Sequence, residues 1–318
     1  MKKYYLFPLI VSVLASCSSL KTEEVNKDVI LFNKGIAVFD ILEEGSFDYE
    51  IARVDTTSVA GKMKFQVLYD TRESILDSAL EYFEEIIKEY PKSNLYHKSL
   101  YNSAKISSLL EYENDEIKYL EMILKSDAND KEKSGRSGLM ANPYANFKNE
   151  ASNRLAVIYI QKKDFKTALK YKKINEKYPL KHFCGNAYAE DEIRTAQLYG
   201  EIYIGLGDTK KGLSYLLPQV FNNSLGSNSD IVDFTIKFLK TKYEKEKLVD
   251  ELNNSIKNYY SRTEKRNDDE WTDYYIKFLD EEIIVPHWEL SFETDQKKIE
   301  SLLKKVILNS EFYKKLKH

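Results

Sequence analysis

The chain has 318 residues with 48 Lys and Arg against 51 Asp and Glu, a formal charge of −3, so no basic excess points to nucleic acid. Six prolines and eleven glycines are few for this length and favour helices, and with only two cysteines there is little scope for a disulfide framework. The length suits one large domain or two smaller ones.

The N-terminus reads as an export signal. Met1-Lys2-Lys3 is positive, Tyr4 to Leu14 carries no charge, and Leu14-Ala15-Ser16 brings small residues up to Cys17. The apolar run is shorter than the ~20 residues that span a bilayer. Leu14-Ala15-Ser16-Cys17 resembles the lipobox of bacterial lipoproteins. That resemblance implies cleavage after residue 16 and a diacylglyceryl group on the Cys17 thiol. One acyl chain binds a membrane only reversibly, whereas two or more on one cysteine anchor stably. Removal of Lys2 and Lys3 with the signal takes the formal charge from −3 to −5.

Residues 17–28 read as a lipidated tether. Ser18 follows the cysteine where an acidic residue would retain a lipoprotein in the inner membrane. The resemblance therefore implies the outer membrane, with the body periplasmic or surface-exposed. With Cys17 committed to lipid, Cys184 has no partner.

Residues 29–70 read as a small β element. Ile36 to Leu42 and Phe47 to Val54, joined through Gly45-Ser46, have the pattern of a hairpin, and Lys62 to Tyr69 offers a third strand.

Residues 71–225 carry internal self-similarity. Ile158, Tyr159, Ile160, Asp164, Leu169 and Tyr171 recur 44 residues later as Ile202, Tyr203, Ile204, Asp208, Leu213 and Tyr215. Leu80, Tyr82, Phe83, Glu84, Ile86 and Ile87 recur 37 residues later as Ile117, Tyr119, Leu120, Glu121, Ile123 and Leu124. Leu76, Ala79, Leu80, Phe83 and Ile87 form a helical stripe, Tyr90-Pro91 and Tyr178-Pro179 end helices, and Gly207-Asp208 turns one helix into the next.

These copies resemble the tetratricopeptide repeat (TPR). Leu155, Ala156, Tyr159 and Ala168 match its landmarks in one copy, and Gly200, Tyr203 and Leu216 in the next. Lys172 stands where an aromatic is usual, and Gly212 replaces an alanine. The resemblance implies a mainly α fold of helical hairpins stacked as a solenoid. Generic hairpins are the alternative, since both offsets exceed the standard period. Between copies, residues 126–148 form a long loop, which is either functional or disordered.

Residues 226–318 read as mixed and mostly helical. Helices are expected over Ile231–Tyr243, Lys247–Tyr260, Gln296–Leu308 and Glu311–Leu316, with a charged loop from Arg262 to Asp269 and a short hairpin between Tyr274 and Phe292.

The chemistry-bearing residues are few. There is no phosphate-binding Gly-x-x-x-x-Gly-Lys, no Gly-x-Ser-x-Gly and no His-Glu-x-x-His, and the histidines are His97, His182, His287 and His318. No metal or other cofactor is expected. His182 and Cys184 offer a thiol nucleophile with a neighbouring base, weighed against a buried cysteine beside a turn. Trp271, Tyr274, Tyr275, Trp288 and Phe292 read as core before they read as a glycan-stacking surface. Glu43-Glu44 and Asp280-Glu281-Glu282 read as solvated faces without calcium-loop spacing.

Three functions compete. The first is a protein-interaction scaffold, because stacked hairpins create a groove for a peptide or partner helix. Carrying over the repeat family's groove-facing positions gives Asn153, Arg194, Gln197 and Glu201. Lipoproteins of this kind commonly serve envelope assembly complexes. The second is a solute- or glycan-binding lipoprotein, and the third an enzyme using Cys184 and His182. The membrane, through the Cys17 lipid, and a protein or peptide are the expected partners.

Overall fold

The computed structural model describes residues 26–44, 47–134, 143–222, 227–266, 269–286 and 290–318. The signal, Cys17, Trp288 and residues 135–142 of the 126–148 loop lie outside the described residues. The fold is mainly helical with one small antiparallel sheet. The chain divides into two compact units, Met1–Tyr119 and Leu120–His318.

In the first unit, helix α1 (Lys27–Glu44), the short α2 (Phe47–Ala52) and α4 (Tyr96–Leu109) pack on the long α3 (Val59–Glu89). Helix α5 (Glu113–Lys125) carries the unit boundary within it. The expected β element at 29–70 is corrected: its segments are α1, α2 and the first part of α3. The reason lies at Gly35. The inward stripe of α1 runs through Leu31, Gly35, Phe39 and Leu42, and its second member has no side chain to announce it. A Cβ at Gly35 would sit 2.8 Å from Phe83 Cζ, so the glycine is the seat for that ring. Phe32 meets the same ring edge-on at 5.6 Å. Short apolar runs fit strand and helix alike, and packing decides between them.

Helix α3 begins at Ser58, whose hydroxyl accepts from the Gly61 amide at 3.0 Å. It buries Leu76, Ala79, Leu80, Phe83 and Ile86 and ends at the expected Tyr90-Pro91. Ile86, not Ile87, is the last fully buried member of that stripe.

In the second unit, α6 (Phe147–Gln161) pairs with α7 (Phe165–Asn175), and α8 (Gly185–Gly205) with α9 (Thr209–Leu216). Their turns are alike, bond for bond. Asp164 N donates to Tyr159 O at 2.9 Å and Lys163 N to Ile160 O at 2.9 Å; 44 residues on, Asp208 N donates to Tyr203 O at 2.9 Å and Gly207 N to Ile204 O at 3.0 Å. This is the Schellman pattern, whose left-handed residue is Lys163 at φ 59° and Gly207 at φ 87°. Asp164 and Asp208 then cap the next helices, accepting from Thr167 N and Lys211 N at 3.1 Å each. Tyr159 stacks on Tyr171 at 5.5 Å, and Tyr203 on Tyr215 at 5.7 Å. Tyr199 joins the second stack, 4.9 Å from Tyr215.

Beyond α9, a 3-10 turn (Leu217–Gln219) leads to α10 (Ser229–Lys242) and α11 (Lys245–Lys257), then to strands β1 (Tyr260–Arg266), β2 (Asp269–Phe278) and β3 (Glu281–Ile284) in spatial order β1-β2-β3. A second 3-10 turn (Leu290–Phe292), α12 (Gln296–Asn309) and α13 (Glu311–Lys317) follow. The expected charged loop at Arg262–Asp269 is corrected to strand β1 and the start of β2. It is an edge strand with opposite charges paired across it, Arg262 opposite Asp273 and Lys265 opposite Glu270. Charged edge strands resist further pairing, and their polarity hides them in sequence. The expected hairpin in 274–292 is present as β2–β3, turning through Leu279 and Asp280 at φ 51° and 66°. Tyr274, Ile276 and Phe278 alternate along β2 into one core with Phe221, Ile283, Leu303 and Phe312. Phe312 meets Phe221 and Phe278 edge-on at 5.6 and 6.1 Å. No described helix is long and apolar enough to cross a membrane.

Candidate functional site

The second unit holds a buried polar network between its two hairpins. Helix α6 starts beneath Asp130, whose carboxylate accepts from Lys148 N at 2.7 Å and Asn149 N at 3.2 Å. The first turn of the helix is thereby capped from the base of the 126–148 loop. Asn146 pins the connection before α8, donating to Lys181 O at 3.0 Å and accepting from Lys181 N at 2.8 Å. Asn149 donates to Tyr178 O at 2.6 Å. Asn149 and Asn153 lie one turn apart on α6, Asn146 precedes the helix in the left-handed conformation at φ 50°, and all three are buried.

Lys172 reaches into this network from α7, with 1% of its surface exposed. Its ammonium donates to Asn153 Oδ1 at 2.8 Å, Asn175 Oδ1 at 2.8 Å and Thr195 Oγ1 at 3.0 Å. An ammonium has three donors, and all are used. Asn175 passes the network on, donating to Asn149 O at 3.0 Å and Ser152 Oγ at 3.1 Å. Lys172 thus ties α6, α7 and α8 together through neutral oxygens. Burial pushes its pKa down from 10.5 to about 8; Asp191 and Glu176 oppose that shift and Arg194 adds to it. The amine is enclosed and saturated, so the arrangement cross-links helices and presents no nucleophile.

Over this network lies the outer face of α8. Arg194 NH2 meets Asp191 Oδ1 at 2.9 Å, and its NH1 lies 4.0 Å from Glu150 Oε2. Gln197 donates to Glu201 Oε1 at 2.9 Å. Burial raises the carboxyl pKa of Glu150, against the pull of Arg194, and that of Glu201, against the hydrogen bond from Gln197. Arg194, Gln197 and Glu201 follow one another along α8 at i, i+3 and i+7 and are exposed or half-buried. Asn153 is corrected: it is 3% exposed and engaged by Lys172, so it supports this face from beneath and is closed to a partner.

The two glutamates related by the 37-residue offset, Glu84 and Glu121, each accept from a tyrosine, though the tyrosines themselves do not share that offset. Glu84 accepts from Tyr119 within the first unit, and Glu121 accepts from Tyr171 at 2.7 Å within the second. Tyr199 donates likewise to Glu176.

The remaining candidates are dispersed. His182 Nδ1 accepts from the Cys184 amide at 2.9 Å, and its ring stacks on Phe183. That nitrogen serves the turn before α8, leaving it no part in activating the thiol. Among the described residues no cluster of His, Cys, Asp or Glu is placed to hold a metal ion. Tyr274 is in the core, Trp271 is half-buried and Tyr275 stacks on Tyr260 under Arg262, so the expected aromatic group is split between core and surface.

Sequence reading missed Asn149, Ser152, Asn175 and Thr195, because polar residues are read as exposed. The asparagine spacing on the side of α6 away from Leu155 and Ile158 was the available signal. No protein-family model, curated protein or solved structure matches the chain.

Proposed function

We propose that this chain is a lipid-anchored protein of the bacterial envelope whose TPR-like hairpins hold a protein or peptide partner against α8. The observation that carries the reading is the equivalence of the two hairpins at an offset of 44, with the same turn bonds, aspartate caps and tyrosine stacks. Repeated hairpins in contact offer an extended surface, and such surfaces take peptides or helices. Arg194, Gln197 and Glu201 form the contact face, and the Lys172 network keeps it rigid. A preorganised face loses less entropy on binding.

The lipobox at Leu14-Ala15-Ser16-Cys17 supplies the address, with the outer membrane as destination. In a bacterium expressing the full chain, labelled palmitate is expected in the wild-type protein, which sediments with membranes. Cys17→Ala is expected to lose the label and appear in the soluble fraction with an unchanged melting temperature. Retention of that variant in the membrane fraction would contradict the anchor.

A further inference from the structure

Glu190, Arg194, Gln197 and Glu201 lie at i, i+4, i+7 and i+11, along one side of α8. The guanidinium of Arg194 is already shared, at 2.9 Å from Asp191 and 4.0 Å from Glu150. Glu201 is half-buried, and its Oε1 accepts from the neutral amide of Gln197 at 2.9 Å. Among the described residues no lysine or arginine is paired with it.

Glu201 also departs from the repeat. Forty-four residues earlier, the equivalent place on α6 is Val157, which is half-buried too. An apolar side chain fits such a place without cost, whereas a carboxylate there loses solvation. Burial raises the Glu201 carboxyl pKa even against the bond from Gln197, so that bond offsets only part of the loss. Side chains that cost stability with no structural return mark functional positions. A carboxylate accepts through both of its oxygens, and a bond from a cation is about twice as strong as one from a neutral donor. Partial shelter from water strengthens such a pair further.

We propose that α8 takes a basic segment of its partner, with a lysine or arginine side chain paired to the Glu201 carboxylate. The inference rests on α8 being the partner face and adds the chemistry that the face selects.

The test displays random peptides about twelve residues long, enough to span the roughly 16 Å from Glu190 to Glu201. They are selected in parallel on the full chain in nanodiscs, as wild type and as Glu201→Gln. A photoreactive residue at Glu190, exposed on the same side of α8, reports where the selected peptides sit. Peptides held by the wild type are expected to be richer in Lys and Arg than the starting library, and those held by Glu201→Gln are not. Replacing the basic residue of a selected peptide by norleucine is expected to weaken binding to the wild type by at least about tenfold, and binding to Glu201→Gln hardly at all. Glu201→Gln still accepts from Gln197 and loses only the charge, so its melting temperature is expected to be no lower than that of the wild type. A glutamate serving the fold alone would lower the melting temperature and leave peptide choice unchanged. No selected peptide, or none that crosslinks from Glu190, would show that α8 is not the partner face, and the inference falls with it. Peptides that crosslink but show no basic excess, or that bind both proteins equally, would overturn the cation pairing and leave the face standing.

Discussion

Gly200→Val is expected to cost about 3 kcal/mol, because it overfills a close contact between α8 and α9. A Cβ at Gly200 alone would lie 2.4 Å from both Cγ and Cδ2 of Leu216, which is fully buried. Leu216 is also packed with Ile193, Ala196 and Ile231, so it has little room to retreat. A double-mutant cycle isolates the contact. Leu216→Ala alone is expected to cost about 2–5 kcal/mol by leaving a cavity. Combined with Gly200→Val, the added methyls fill part of that cavity. The double variant should then be more stable than the sum of the single losses predicts by at least about 1 kcal/mol. Urea unfolding of the four proteins measures this, and strict additivity would show that Leu216 does not seat on Gly200.

The second large effect is expected at Lys172. Lys172→Met strands the oxygens of Asn153, Asn175 and Thr195 in a buried place, at about 1–3 kcal/mol for each group left unsatisfied. It also relieves the burial of a charge. At neutral pH the expected net loss is about 3 kcal/mol, in the range for breaking a buried polar pair.

The pH dependence separates these two contributions. Lys172 titrates at about 8 in the folded protein against 10.5 as a free side chain. Between those values the unfolded chain binds more protons, so this group adds stability as pH rises. From pH 8 to pH 10 the stability gap between wild type and Lys172→Met should widen by about 2 kcal/mol. Tyr119, Tyr171 and Tyr199 act in the opposite sense above pH 10, because burial and their carboxylate partners hold them protonated in the fold. They are present in both proteins and cancel in the difference. A gap that stays flat or narrows from pH 8 to pH 10 would show that burial does not lower the Lys172 pKa in the folded protein.

The hairpins of the second unit were legible because the repeat spacing and the turn residues agree there. Ile158-Tyr159-Ile160 and Ile202-Tyr203-Ile204 repeat with their aspartates at a fixed distance, and Gly207-Asp208 is a stop and a cap in adjacent residues. Three features escaped for three physical reasons. Helix α1 was hidden because Phe83 fills the place of the missing side chain at Gly35. Strand β1 was hidden because an edge strand hydrogen-bonded on one side has no need of an apolar face. The network escaped because a buried lysine and buried asparagines are stable only together. Lys172 could be recognised as a departure from the repeat's usual aromatic, but its acceptors come from three helices and no local pattern links them. Arg194, Gln197 and Glu201 fall on one side of α8, as spacings of three and four residues require of any helix. Sequence reading misjudged Asn153, whose neighbour across the interface is a cation.

Photo-crosslinking in living cells tests the central claim most directly. A photoreactive residue is placed at Gln197, on the outer face of α8, or at Ser214, exposed on α9. Gln197 is expected to yield one or a few discrete protein adducts in the membrane fraction, with Ser214 yielding far fewer. Equal labelling from both positions, or none from Gln197, would contradict the assignment of α8 as the partner face.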